Sequence, residues 1–563
     1  MSTLKKVERT GLGLAGLAGY SASSSTPPSS TAAGQALVDR GKPGGLRAPF
    51  RLTALTILCA AGVSCSSPPT ETPAAVAPAS AAPARSYKYT TNIPPEITSP
   101  ASVATRLGTL TFSDGVPDEE TAQKVYDNLD FQRGVQVFLN AMPAASLSAM
   151  RQGLRSAGAS NSAVIVMEDL LDSRTLFLTP NTESVYCTTW LDLKDGPLVV
   201  ETPPNILGFV DDFWFTYVTD MGNAGPDRGK GGKFVLVPPG YKGDLPKTGY
   251  FITQSPTFGN WFIARGFLVN RDPKPAVESI RQHLRIYPLS QAAHPPETTF
   301  VNASGKAFNT IHAMDFSFYE EVNRVVQEEP AEAMDPETLG LLASIGIEKG
   351  KPFAPDARMK KILTEAAVVG NATARTLNYR SRTAEARLYP NSGWVDAFYG
   401  GDHRFLHNGA RQLDARTMFF FAATGITPAM SVKRVGIGSQ YAGGMADAQG
   451  RPFDGGKTYK LHLPANIPAR DFWSLVIYDT QTRSDLQTDQ QFPSTGSQRA
   501  GLVTNPDASV DVYFAPSKPA SVSEANWIQT IPGKGWFIIL RLYGPLQPWF
   551  DKTWRPGELE EAR

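Results

Sequence analysis

Cysteine is scarce in this sequence: Cys59, Cys65 and Cys187 are the only three in 563 residues. Two of them, Cys59 and Cys65, fall in a leader and at its junction with a tether, so no disulfide framework can be built inside the folded part. An excess of one charge is also lacking. Lys plus Arg total 54 against 53 for Asp plus Glu, which gives nucleic acid no electrostatic reason to bind. Beyond the leader there is no run of about twenty apolar residues, so no membrane span is expected. Catalytic signatures are missing as well. There is no HExxH and no GxSxG, and "GKGGKF" at 229–234 lacks P-loop spacing and precedes a strand. His403 and His407 stand four apart, but Gly400-Gly401 and Asn408-Gly409 confine them to under two helical turns. The other histidines, His283, His294, His312 and His462, form no ligand-spaced set. No metal and no bound redox cofactor are expected.

Glycine and proline are plentiful, 49 and 45, which favours a turn-rich, β-rich protein. In the leader, Arg47 and Arg51 precede the apolar stretch Leu52 to Val63, and small residues then lead into Cys65. That is the order of an export signal. It resembles a bacterial lipoprotein signal, which implies lipidation of Cys65. Residues 66–86, "SSPPTETPAAVAPASAAPARS", form a Pro/Ala/Ser tether that cannot bury a core. The reading is a leader over 1–64, a tether over 65–90, and a periplasmic protein held to the membrane by a lipid anchor alone.

The remainder divides by texture. Residues 91–300 start with helical spacing in "DEETAQKVYDNLDFQRGVQVFLNAM" and then give short β-like runs, "TTWLDL", "PLVVETPP", "FWFTYVTDM", "GKFVLVPPGY" and "WFIARGFLV". Such runs, separated by Gly, Pro and Asp, predict a sandwich. Residues 301–430 carry helical patterns, including "DFSFYEEVNRVVQEE" and "ARTMFFFAATG". Residues 431–563 return to strands, "YKLHLP", "FWSLVIYD", "SVDVYFAP" and "GWFIILRLYGP", for which a jelly roll is the expected form. The fold class expected is therefore mainly β with a helical insert.

"TPNTESVYCTTWLDLKDGPLVVETPP" and "GKFVLVPPGYKGDLP" resemble the domain of unknown function numbered 1254. "YKLHLPANIPARDFWSLVIYDTQTRSDL", "NPDASVDVYFAPSKP" and "NWIQTIPGKGWFIILRLYGPLQPWFDKTW" resemble the domain numbered 1214. The resemblance implies an immunoglobulin-like β-sandwich, a helical domain and a jelly roll in a bacterial envelope setting. It brings no established reaction. Where the family's early turn commonly carries Asp, Glu183 stands here.

Strand parity sets Val185, Cys187, Thr189 and Leu191 on one face, which makes Cys187 an inert packed thiol. The polar turn before it offers Asn181 and Glu183 at a strand entrance, where a rigid sheet can position functional groups. In the C-terminal strands Arg541 and Asp479 each interrupt an apolar row. Because an unpaired buried guanidinium is expensive, Arg541 is expected to pair with Asp479 or with a neighbour such as Asp485. These four are the candidate catalytic residues. Tyr186, Trp190, Trp473 and Trp527 are candidates for a ligand platform. Two functions remain open. One is a cofactor-independent hydrolase of a small or oligomeric organic substrate. The other is a non-catalytic lipoprotein that binds glycans or partner proteins. Both are compatible with a homo-oligomer.

Overall fold

Asp118 opens the longest helix. Its side chain accepts the Thr121 amide at 2.8 Å, and Glu119 and Glu120 follow in the first turn, where carboxylates suit the positive end of the helix dipole. This helix, α1 (Glu119–Ala157), stops at Gly158, whose φ of 111° belongs to the left-handed C-cap. The computed structural model describes residues 87–562. Cys65, the expected export signal around it and nearly all of the expected tether lie outside the described residues. Among the described residues no helix is long and apolar enough to cross a membrane.

The expected mainly β chain with a helical insert is what is found. In the first β region a six-stranded sheet runs, in spatial order, Thr299–Asn302, Ala163–Val166, Ser184–Asp192, Gly259–Phe267, Ile206–Asp212 and Tyr217–Gly222. A four-stranded sheet runs Phe251–Gln254, Gly232–Val237, Leu198–Thr202 and Arg285–Pro288. Both sheets are open. Strand alternation divides Ser184–Asp192 as its pattern requires. Val185, Cys187 and Leu191 pack with Val200, Phe234 and Leu236 of the second sheet and with Ile280 of α2 (Lys274–His283). Tyr186 and Trp190 face the opposite way, into the core shared with α1. One strand is thus buried on both sides.

Two strand expectations shift. The run "FWFTYVTDM" begins as a turn, with Phe215 at φ 60°, and pairs only from Tyr217. Ile206–Asp212, which carries a glycine and two acids, forms a buried strand that its composition does not announce.

The helical insert supplies α3 (Ser317–Glu328), α4 (Pro336–Ala343), α5 (Ala357–Tyr379) and α6 (Leu413–Ala422), and α1 packs against all four. Glycine lets α1 and α5 come close. A Cβ at Gly134 would sit 2.7 Å from the Ala366 Cβ, and one at Gly370 would sit 2.6 Å from the Phe138 ring. His403 and His407 fall around a short hairpin, Leu406–His407 with Ala410–Arg411, rather than on one helical face.

The C-terminal region stacks two further open sheets. One orders Trp394–Val395, Ser439–Gly444, Gly535–Pro545, Ala469–Asp479 and Ser494–Gly496, with Phe453–Asp454 also paired to Gly535–Pro545. The other orders Trp527–Gln529, Val510–Ala515, Tyr459–Leu463 and Leu559–Glu561. Leu475, Ile477, Ile538 and Leu540 meet Leu461, Val512 and Phe514 between them. From Asn92 onward the described residues form a single unit.

Candidate functional site

The other face of Gly535–Pro545 builds the site. Across the antiparallel ladder Arg541 lies opposite Ser474 on one side and Tyr441 on the other, and Tyr543 lies opposite Phe472 and Ser439. Residues directly opposed share a face, so Arg541 shares its face with Tyr441, Ser474 and Tyr478. Asp479 falls on the reverse face, one residue out of step. The expected Arg541–Asp479 pair is therefore excluded by strand parity. Asp479 instead takes the Lys534 ammonium and the Gln481 amide, the latter at 2.6 Å.

Arg541 is 4% exposed and bonds to neutral groups. Its guanidinium donates to the Tyr478 hydroxyl at 2.5 Å and to the Thr179 carbonyl at 2.6 Å, and it lies over the rings of Tyr441 and Tyr478. Asp485 makes no direct bond to it. Among the described residues both carboxylate oxygens of Asp485 lack hydrogen-bond partners, and burial drives its pKa well above the ordinary value, with Arg541 opposing that rise.

The polar turn "TPNTES" docks onto this sheet. The Asn181 side-chain amide donates to the Tyr543 hydroxyl at 2.9 Å, while its Oδ1 accepts from the Glu183 amide and the Ser184 hydroxyl. The Tyr478 hydroxyl donates to the Pro180 carbonyl at 2.6 Å. Thr179 holds φ at 39°, an unusual angle for a β-branched residue; the same residue supplies the carbonyl that Arg541 binds. Glu183 is buried. Thr182 donates its hydroxyl to it at 2.7 Å, and burial raises its pKa against the help of Thr182 and Arg541. Asn181 therefore joins two regions of the fold, and Glu183 sits behind the joint.

In front of the joint is a cavity of about 100 Å³. Its floor includes Asn181, Tyr186, Arg265, Tyr441, Arg541 and Tyr543. Most of the remaining wall is apolar, with Phe398, Met418, Phe419, Met430 and Met445 prominent. Arg265 is 9% exposed, lies directly across the ladder from Tyr186, and has its guanidinium 5.6 Å from that ring. Its Nε has no hydrogen-bond partner among the described residues. Asp396 is the one carboxylic acid in the lining. It accepts the Phe398 amide at 2.8 Å, and burial raises its pKa while Lys552 and Lys433 oppose the rise.

Of the sequence candidates, Asn181, Tyr186 and Arg541 line this cavity, and Glu183 and Asp479 do not. Trp190 is buried against Phe213 and Trp473 lies in the C-terminal core. Trp527 is partly buried and donates to the Ala515 carbonyl at 3.0 Å. The aromatic candidates do not assemble into one platform. Sequence reasoning missed Arg265 and Asp396. Arg265 carried the signal that singled out Arg541, a charge inside an apolar strand, "WFIARGFLV". Asp396 carried none.

Two family models match, both described as proteins of unknown function: DUF1254 over residues 161–288 and DUF1214 over residues 438–547. The chain thus carries these two domains, DUF1254 ahead of DUF1214. No curated protein matches it. Among solved structures it is similar to the VPA0106 protein from Vibrio parahaemolyticus, at 17% identity and a TM-score of 0.48, over 77% of this chain and 100% of that one. It is also similar to an uncharacterised protein from Burkholderia cenocepacia, at 13% identity and a TM-score of 0.33, over 78% and 96% respectively. The DUF1254 domain gives the cavity Asn181, Tyr186 and Arg265, and the DUF1214 domain gives it Tyr441, Arg541 and Tyr543. The segment between them, matched by neither model, supplies Asp396, Met418 and Phe419.

Proposed function

We propose that the protein takes a small organic molecule into this cavity and hydrolyses it without a cofactor. The observation that carries the reading is that both DUF domains and the helical segment contribute side chains to one largely apolar cavity with a few converging polar groups, the usual make-up of a small-molecule site. Asp396 is the group for acid–base work. A carboxyl whose pKa is raised by burial can hold and return a proton nearer neutral pH. In ester hydrolysis its carboxylate would take a proton from the attacking water, and the departing alkoxide would recover that proton as the C–O bond breaks.

The test is Asp396→Asn. Turnover of a screened ester substrate should fall by at least about 100-fold, with substrate affinity retained. Unchanged turnover would remove Asp396 from the chemistry.

A second reading is a non-catalytic binder. It is favoured by the lining itself, which holds no serine, cysteine, histidine or lysine to act as nucleophile or strong base. For that reading a small amphipathic ligand fits the cavity better than a glycan on an exposed aromatic row. The export-signal order read around Cys65 supports a periplasmic setting for either activity, on a lipid anchor. The two sheet stacks are read as an immunoglobulin-like sandwich and a jelly roll.

A further inference from the structure

Resting on the reading that this cavity is the ligand site, we propose that its ligand is an organic monoanion, a carboxylate on an apolar body, with its head held by Arg265 and Arg541. Two guanidinium groups border one small cavity, and among the described residues neither makes a salt bridge: Arg541 donates to the Tyr478 hydroxyl and the Thr179 carbonyl, and Arg265 lies over the Tyr186 ring. Glu183 and Asp485 lie within Coulombic reach of Arg541 but line no part of the cavity. Three residues of the lining also bury polar atoms that have no partner among the described residues: Arg265 Nε, Asn378 Nδ2 and Thr424 Oγ1. Burying a donor without an acceptor is unfavourable, and here all three can donate. A carboxylate is acceptor-only, with about four lone-pair sites, and matches the fork of a guanidinium. The methionine and phenylalanine wall then suits an apolar remainder. Asp396 in the same lining disfavours a second negative charge on the ligand, which separates a carboxylate from a phosphate monoester.

Isothermal titration of the full chain tests this with benzoate, phenylacetate and octanoate against benzyl alcohol, phenylethanol and octanol. At least one carboxylate should bind tenfold or more tighter than its alcohol. Arg265→Gln should weaken that carboxylate tenfold or more and leave the alcohol unchanged, Arg265→Lys should restore part of the loss, and Ala423→Leu, which intrudes on the lining, should weaken both. If Arg265→Gln fails to fold, Arg541→Lys takes its place, keeping the charge and losing the fork. Alcohols that match the carboxylates, with both lost in Ala423→Leu, would overturn the anion and leave the cavity as the site. Binding of neither series, or binding indifferent to Ala423→Leu, would overturn both readings.

Discussion

Cys187 shows how surroundings decide what a side chain can do. It lies among Val185, Leu191 and the facing sheet, fully buried, and burial pushes its thiol up to about 12. A thiol that stays protonated and unreachable is neither nucleophile nor ligand. Iodoacetamide at pH 8 should therefore leave the native protein's Cys187 unlabelled over hours and label it once urea unfolds the chain. Cys187→Ser should lower stability by about 1–3 kcal/mol, because a hydroxyl desires a partner that this apolar pocket lacks; rapid native labelling would contradict the packing role. Arg541 gives the complementary lesson. That it would be buried was legible from one charge in an apolar row. Its partner was not, because the Arg541–Asp479 pairing depends on register, and a shift of one residue moves a side chain to the other face. The same row rule applied to "WFIARGFLV" would have found Arg265. Asp396 follows a two-residue strand in a segment without clear periodicity, so only tertiary folding brings it to the cavity.

At the scale of elements, the strands Ile206–Asp212 and Tyr217–Gly222 carry buried acids that make stability depend on pH. Burial raises Asp212 to about 7 and Asp220 to about 6, and drives Asp211 well above its ordinary value. Asp212 also feels Glu329, and Asp220 is eased by Arg434 and Thr427. In each case the folded state binds the proton more tightly than the unfolded state. The contribution to stability is thus complete below the unfolded pKa near 4 and is lost as pH rises through 6 and 7. Urea midpoints should fall between pH 5 and pH 8. Asp212→Asn should flatten that decline, since its Oδ1 can still accept the Trp214 and Thr216 amides; an unaltered slope would show that Asp212 is already ionised at pH 5. These acids also explain why this strand escaped sequence reading. Gly208 and the Asp211-Asp212 step resemble a loop, and only the core behind them makes the segment a strand. By contrast "FWSLVIYD" and "GWFIILRLYGP" contain continuous apolar or alternating runs whose burial needs no tertiary argument, and both form strands there.

For the whole molecule, the decisive contacts join residues about 300 positions apart. Phe177 donates its amide to Ser484 Oγ at 3.2 Å, Thr179 donates its amide to the Arg483 carbonyl at 2.9 Å, and Asn181 reaches Tyr543. Each crosses from the DUF1254 domain side to the DUF1214 domain side, and all cluster beside the cavity. The strand Trp394–Val395, from the segment between the matched domains, completes the edge of the C-terminal sheet. Separating the halves would leave Arg541 without the Thr179 carbonyl, Tyr478 without the Pro180 carbonyl and a sheet face open to water. Uncoupled domains melt in separate steps, whereas domains that share buried polar partners lose them together. Differential scanning calorimetry should accordingly record one transition, with calorimetric and van't Hoff enthalpies in agreement, and Asn181→Ala should move that single peak to lower temperature without splitting it. Two resolved peaks in the unsubstituted protein, the later one retaining the near-UV signal of the C-terminal tryptophans, would mean that the joint beside the cavity is a contact between independently stable domains, and the cavity would then open and close with their relative motion instead of standing preformed.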